Sequence, residues 1–196
     1  MSAADIRGDR LSGVARWEPD ARRRLQDAAL ALFAQRGFEH TTARQIAEQA
    51  GLTERTFFRH FGDKREVLFG NEEAVTAALV EGVAGAPARA STATAVEAGL
   101  RAAARAMQPR KPFLRRFAAL VGEHPELRER ELIKQRTMSA ALAEALGARG
   151  LDALQAQLAA ELAIVVMRLG FEQWLVRGEK RELEEIVADV LARRPL

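Results

Sequence analysis

The segment from Thr41 to Phe69 constrains the fold most, because its apolar residues recur at helical spacing and glycine interrupts them twice. The interruptions are Gly51 and Gly62. Glycine readily adopts the backbone conformations that end a helix, so each interruption marks the end of one short helix. The segment therefore predicts three short helices in succession, and a longer first helix is predicted upstream from Asp20.

Residues at the predicted helix starts support these boundaries. Thr42 followed by Gln45 has the form of a capping box, in which two side chains satisfy N–H groups of the first turn. Thr53 can cap the next helix and Asp63 the one after it, since both side chains accept hydrogen bonds from backbone N–H groups.

The rest of the chain also favours helices, since no run of alternating β-branched residues indicates strands. Pro125 can open a long helix, and Leu151 to Val176 is apolar enough to be buried on more than one side. A last amphipathic helix follows Gly178. The segment from Gly82 to Thr92 is rich in small residues, so composition favours a boundary there. We expect an all-α protein.

Composition argues against several classes of function. The chain has no cysteine and no tyrosine, and its 3 histidines lie outside any recognised catalytic motif. We therefore predict no enzymatic activity, no cofactor and no metal site. The N-terminus has no signal-peptide pattern, and no run reaches the roughly 18 uninterrupted apolar residues of a membrane span. We expect a cytoplasmic protein with no membrane partner.

The net charge of +3 is spread over both halves of the chain, so a nucleic-acid footprint must be local. Two clusters qualify. The first is Arg22 to Arg24, and the second comprises Arg44, Arg55, Arg59, Lys64 and Arg65. Each cluster taken alone fits a solvated helix face equally well.

The second and third predicted helices have the layout of a helix-turn-helix, whose second helix enters the major groove of DNA. At about 100° per residue, Phe57 and Phe61 share the inner side of this second helix. Arg55 and Arg59 point away from them. The spacing alone leaves a helical pair without DNA binding equally open.

Residues 24–69 resemble the DNA-binding region of TetR-type transcriptional regulators. The resemblance rests on Ala28, Ala29, Phe33, Gly37, Thr42, Ile46, Ala47, Ala50, Gly51, Phe57, His60, Phe61 and Lys64. It implies a helical homodimer that binds a small ligand and dimerises through its last two long helices. We accordingly predict a flexible arm over residues 1–19, a helix-turn-helix domain over residues 20–69, and a helical-bundle ligand-binding and dimerisation domain, joined by a connecting helix, over residues 70–196.

The resemblance also implies which residues contact DNA. They are Thr42, Arg44, Thr53, Glu54, Arg55, Thr56, Phe58, Arg59, His60 and Lys64. Arg55 is expected to read guanine and Lys64 to bind phosphate, whereas His60 has a structural role as an equal alternative. Phe58 stands where the family often has tyrosine, so it either presses against a thymine methyl or sugar or packs inside the protein.

The C-terminal domain offers weaker signals. Candidate ligand-binding residues are Met107, Phe113, Phe117, Met138, Glu161, Met167, Arg168, Phe171 and Trp174. The apolar ones fit ordinary core at least as well. Glu161 and Arg168 are charged within an apolar helix, so they belong to a buried network, a dimer contact or a ligand anchor. The segment His124 to Leu146 is similar to that of regulators that accept acyl-CoA-like molecules.

The resemblance implies a repressor that leaves a palindromic operator in double-stranded DNA when a small apolar effector, such as an acyl-CoA-like molecule, binds. We expect a homodimer held by Leu151 to Val176 together with Glu182 to Leu191. A helical interaction module that does not bind DNA is the alternative, and an enzyme is the least favoured one.

Overall fold

A computed structural model describes the backbone of residues 9–193 and the side chains of residues 20–193. All regular elements in these residues are helical, which confirms the predicted all-α class. The helices are α1 (Asp9–Arg36), α2 (Ala43–Gln49), α3 (Glu54–His60), α4 (Glu66–Phe69), α5 (Glu72–Ala84), α6 (Thr92–Met107), α7 (Lys111–Glu123), α8 (Pro125–Ala148), α9 (Ala153–Trp174) and α10 (Leu183–Ala192), with a 3-10 turn at Gln108–Arg110.

The chain divides into two compact units. The head unit consists of the described residues up to Gly70 together with Arg116–His124, and the body unit consists of Asn71–Arg115 with the described residues from Pro125 onward. The second half of α7 therefore belongs to the head unit, although it was predicted to lie in the C-terminal domain.

The first helix is longer than the sequence pattern indicates. It begins at Asp9, so residues 9–19, which were expected to form a flexible arm, continue α1. Residues 1–8 lie outside the described part of the chain. The apolar periodicity begins only at Leu25, which is fully buried, so the pattern could locate only the packed part of this helix.

Side-chain caps define the short helices of the head unit. Thr42 Oγ1 accepts a hydrogen bond from Gln45 N at 3.2 Å, and Gln45 Oε1 accepts one from Thr42 N at 2.9 Å, which confirms the capping box. Thr53 Oγ1 accepts from Thr56 N at 3.1 Å and caps α3. Gly51, between the two helices, has φ +65°, in the left-handed region that favours glycine.

The sequence predicts that Asp63 caps the fourth helix, but α4 begins only at Glu66, with Arg65 at its N-cap position, so Asp63 instead binds the turn that leads into the helix. Asp63 Oδ1 accepts hydrogen bonds from Arg65 N at 2.7 Å and Glu66 N at 3.0 Å. The helix ends at Gly70, where a Cβ would lie 2.7 Å from the Phe61 ring. The close packing at Gly70 leaves no room for a side chain.

Small residues in the body unit serve helix packing. A Cβ at Gly82 of α5 would lie 2.7 Å from the Cα of Gly99 in α6, so the two backbones touch where the helices cross. The segment from Gly82 to Thr92, favoured as a domain boundary by its composition, therefore lies inside the body unit. Small residues indicated a linker there because close helix packing and flexible linkers use the same amino acids.

The last two long helices pack against the body core. Asp152 Oδ1 accepts from Gln155 N at 2.8 Å and caps α9. The apolar residues of α10 are buried within the protomer: Leu183, Ile186, Val187 and Leu191. The outer side of α10 carries acidic residues, among them Glu185 and Asp189. Its apolar face is therefore already occupied by the protein's own core.

One helix in the described residues, Ala153–Trp174, is long and apolar enough by length and composition to cross a membrane. A core helix of a soluble protein satisfies the same criterion. Only 39% of its most apolar 18-residue stretch is buried, because one side of the helix faces outward.

Candidate nucleic-acid interface

The recognition helix candidate, α3, separates an apolar inner side from a basic outer side. Phe57 and Phe61 are buried, with ring centroids 5.6 Å apart. Arg55 and Arg59 are exposed, as the helical spacing predicts. The packing of the two phenyl rings thus fixes which side chains of α3 can meet a ligand outside the protein.

Phe58 lies on the exposed surface of α3. Its side chain is 53% exposed, and its ring meets Phe57 edge-on with centroids 5.3 Å apart. The alternative of a packed Phe58 is therefore wrong within the protomer. A phenyl group cannot donate a hydrogen bond, so its outward face offers apolar contact only.

Lys64 is engaged inside the head unit. Its Nζ donates to Phe38 O at 2.9 Å and to Glu39 O at 3.4 Å, and it lies 4.3 Å from the centroid of the Phe38 ring. The side chain is 27% exposed. Lys64 therefore connects the residues before α4 to the turn after α1. This structural contact was not predicted from the sequence.

Arg44 is exposed but paired. Its Nε donates to Glu48 Oε1 at 2.9 Å, one turn further along α2. The hydrogen bond and the charge of Glu48 raise the pKa of Arg44 above its usual range. Because solvent weakens an exposed i,i+4 ion pair, Arg44 can exchange Glu48 for another acceptor.

The first basic cluster of the sequence, Arg22 to Arg24, is largely structural. The Arg22 guanidinium lies 5.3 Å from the Phe61 ring centroid, and Arg24 Nη2 donates to Ala50 O at the end of α2. Arg23 pairs with Asp20 at 3.3 Å. The remaining predicted DNA-contacting residues of α2 and α3 are exposed or half-buried: Thr42, Thr53, Glu54, Thr56 and His60.

Residues 25–70 match the family model described as bacterial regulatory proteins of the tetR family. The head unit contains a TetR-family DNA-binding domain. Its outward basic side on α3 and its capped α2 agree with the resemblance seen in the sequence.

Curated relatives are similar to the TetR-family domain and little beyond it. The chain is 40% identical over 74 residues to the HTH-type transcriptional regulator TcmR of Streptomyces glaucescens, covering 38% of this chain and 33% of TcmR. It is 39% identical over 46 residues to the uncharacterised HTH-type regulator YvkB of Bacillus subtilis (strain 168), covering 24% of each chain. The matches thus span a third or less of these relatives.

The fold is shared with a solved transcriptional regulator over most of the chain. The transcriptional regulator FadR of Bacillus subtilis, solved in complex with stearoyl-CoA, superposes with a TM-score of 0.60 at 18% identity, covering 87% of this chain and 95% of FadR. At this identity the likeness concerns the fold alone.

The predicted ligand-binding residues are not gathered at one place. Met138, Met167 and Trp174 belong to the buried core of the body unit, and Met107 and Phe171 are partly buried against it. Phe113 is buried in the same unit but does not belong to that core. Phe117 belongs to the head unit, where its ring packs edge-on against Phe69 with centroids 5.2 Å apart. Glu161 and Arg168 are both exposed, which excludes a buried network within the protomer.

A concave site between α8 and α9 includes one predicted ligand-binding residue, Glu161, and its other residues were not predicted. It has a volume of about 670 Å³ and is lined by Arg136, Ser139, Ala140, Ala143, Gly147, Leu151, Ala153, Ala156, Gln157 and Glu161. Ser139 Oγ, which is buried, donates to Glu161 Oε1 at 2.8 Å. The sequence signal for this site was the small residues on both helices. Sequence alone does not show that they lie opposite one another, because that depends on the turn between α8 and α9.

Proposed function

We propose that the protein is a homodimeric TetR-family regulator that represses transcription and leaves its operator when a small apolar effector binds the body unit. The outer side of α3 carries this proposal. It presents Arg55, Arg59 and the exposed ring of Phe58 together, on a short helix whose inner side is fixed by buried phenyl groups. Such a surface suits the major groove, where arginine pairs with guanine and apolar groups contact thymine methyls.

Each predicted residue of the head unit receives a role in this proposal. Arg55, Glu54 and Thr56 read base edges, because N-terminal residues of a recognition helix face the bases. Arg59 and Phe58 extend the same surface. Thr42, Thr53, Arg44, His60 and Lys64 contact the DNA backbone. For Lys64, one of the three ammonium donors is sufficient for a phosphate while the others hold the turn after α1.

The homodimer is supported by the outer side of α9. Large apolar side chains are exposed along its length, with Leu154 at 76% and Leu158 at 68% exposure. Contiguous apolar surface of this kind indicates a protein interface. The apolar face of α10 is buried within the protomer, so α9 contributes the larger part of the dimer contact that the sequence assigned to both helices.

The effector is proposed to be acyl-CoA-like. FadR of Bacillus subtilis, which shares the fold, was solved with stearoyl-CoA. The body core of this chain contains adaptable methionines and aromatic side chains, which suit an apolar acyl chain. An effector can release DNA only through its different affinities for the bound and released conformations.

Selection from genomic fragments tests the DNA-binding part. Purified protein is incubated with sheared genomic DNA of the source organism, and the retained fragments are sequenced. We expect enrichment of a palindrome, because a two-fold dimer reads two half-sites. Failure to retain random or genomic duplex even at low salt would favour the helical interaction module.

Release of the selected DNA tests the effector. Stearoyl-CoA is titrated into the complex, with free coenzyme A as the matched control. Release by the former alone supports an acyl-dependent effector. If neither compound releases the DNA, the acyl-CoA assignment is wrong while the DNA-binding assignment stands.

A further inference from the structure

The exposed side of α9 is a continuous seam of apolar and charged residues. Its apolar members are Leu154, Leu158, Leu162, Val165 and Leu169, followed by Val176 just beyond the helix end. Spacings of three and four residues keep those from Leu154 to Leu169 on one side of the helix. In the described part of the body unit, the other large apolar residues that are exposed are Leu132 and Ile133 of α8.

Two opposite charges interrupt this seam symmetrically. Glu161 and Arg168 lie seven residues apart and are both exposed. Within the protomer, Glu161 accepts from Ser139 at 2.8 Å, and Arg168 pairs with Glu172 at 2.9 Å on its own helix. Both contacts leave the charged groups at the surface, where additional partners can reach them.

Val165 lies almost midway between the two charges. Glu161 is four residues before it and Arg168 three residues after it. In an antiparallel pair of α9 helices with a two-fold axis beside Val165, Glu161 of one copy therefore faces Arg168 of the other to within one residue rise, about 1.5 Å.

A parallel pairing gives the opposite result. Each residue of the seam then meets its own counterpart, so that Glu161 faces a second Glu161 and Arg168 faces a second Arg168. Like charges that face each other across an interface strongly disfavour that arrangement. The charge pattern thus selects one orientation and one register from those that the apolar residues alone would permit.

We propose that two copies of this chain pair through antiparallel α9 helices centred on Val165, with reciprocal ion pairs between Glu161 and Arg168 that set register and partner choice. This rests on the homodimer of the proposed function and specifies its contact. The seam can recognise a second copy because a two-fold rotation brings the half that contains Glu161 opposite the half that contains Arg168.

Charge-reversal variants distinguish the effect of the proposed ion pairs on the register from dimerisation in general. Glu161→Arg makes both reciprocal contacts positive, and Arg168→Glu makes both negative, so each variant alone should self-associate roughly tenfold or more weakly than the wild type. A mixture of the two variants restores opposite charges at both contacts. We expect heterodimers to predominate in that mixture, as measured by native mass spectrometry and sedimentation.

The double variant Glu161→Arg with Arg168→Glu provides the rescue. It should dimerise with itself as the wild type does, yet form few heterodimers with the wild type, because their contacts would pair like charges. Recovery in the mixture also shows that the single variants are folded. Glu144→Arg, an exposed charge reversal on α8, is the matched control and should leave self-association unchanged.

The outcomes distinguish the two proposals. If the wild type, both single variants, their mixture and the double variant all dimerise equally, the pairing of Glu161 with Arg168 is overturned while the homodimer stands. If the wild type is a monomer at micromolar concentration, the homodimer of the proposed function fails as well.

Discussion

The head unit and the body unit expose different kinds of surface. In the described head unit, Phe58 is the large apolar residue that is exposed, and it stands among arginines on α3. In the body unit, exposed leucines and valines run along α9 and acidic residues cover the outer side of α10. The surface of α3 suits DNA, a polyanion that carries apolar thymine methyl groups, and the surface of the body unit suits another protein.

The two units also differ in how far their sequences resemble those of relatives. Identity of 39–40% is confined to 46–74 residues, whereas the whole chain shares only the fold with FadR at 18% identity. A recognition helix must meet fixed positions on DNA, so particular residues are required at particular places. A helical core requires only apolar residues of suitable volume, so many sequences satisfy it.

The largest expected effect is in the body unit. Gly99→Leu places a side chain where a Cβ already comes within 2.7 Å of Leu79 O and Val83 Cγ2. We expect a loss of about 3 kcal/mol in the free energy of unfolding, measured by denaturant titration. Gly147→Ala is the matched control, since a Cβ there meets open space. Equal stability of both variants would contradict the close crossing of α5 and α6.

Arg55→Ala should have the next largest effect, and only on DNA binding. Loss of a bidentate contact to guanine weakens the selected site by about 1–3 kcal/mol while random duplex is bound nearly as before. Competition binding against both duplexes measures the difference. Arg23→Ala, which removes an exposed arginine paired with Asp20, should change neither affinity. An equal loss on both duplexes would make Arg55 a phosphate contact and transfer base reading to Arg44, Thr56 or Arg59.

Lys64→Ala should change two properties together. Loss of the hydrogen bonds to Phe38 O and Glu39 O and of the ring contact lowers the stability of the head unit by about 1–2 kcal/mol. Loss of a phosphate contact weakens all duplexes alike and lowers the salt slope by about one. Thermal unfolding and salt titrations measure the two effects. Reduced stability with an unchanged salt slope would leave Lys64 a purely structural role.

The smallest effect concerns Asp63 and pH. Although partial burial acts to raise it, hydrogen bonds from Arg65 and Glu66 hold the pKa of Asp63 below the ordinary value of 3.8. Its contribution to stability is therefore present above that value and is lost as the pH falls through the lowered pKa. Asp63→Asn should reduce the loss of stability that occurs as the pH falls from the ordinary value of 3.8 through the lowered pKa. An identical pH profile for variant and wild type would contradict this role.

Local rules predicted the head unit well, and contacts distant in sequence were missed. The caps at Thr42 and Thr53 and the inner position of Phe57 depend on neighbours within one or two turns, so spacing was sufficient. The contact from Lys64 to the Phe38 carbonyl spans 26 residues. Phe117 joined the head unit although its own helix pattern gave no sign of it. Such contacts depend on how helices are arranged in space, which periodicity does not encode.

The crossing of α5 and α6 also provides a means of classification. A recognisable DNA-binding region groups many regulators together but says little about which of them share a body. Gly82 and Gly99 are seventeen residues apart and leave no room for a side chain on either helix. Chains with glycine or another very small residue at both positions, aligned from the helix-turn-helix, are expected to have the same helix crossing. Such a search would group regulators by the architecture of their body where overall sequence identity is too low to do so.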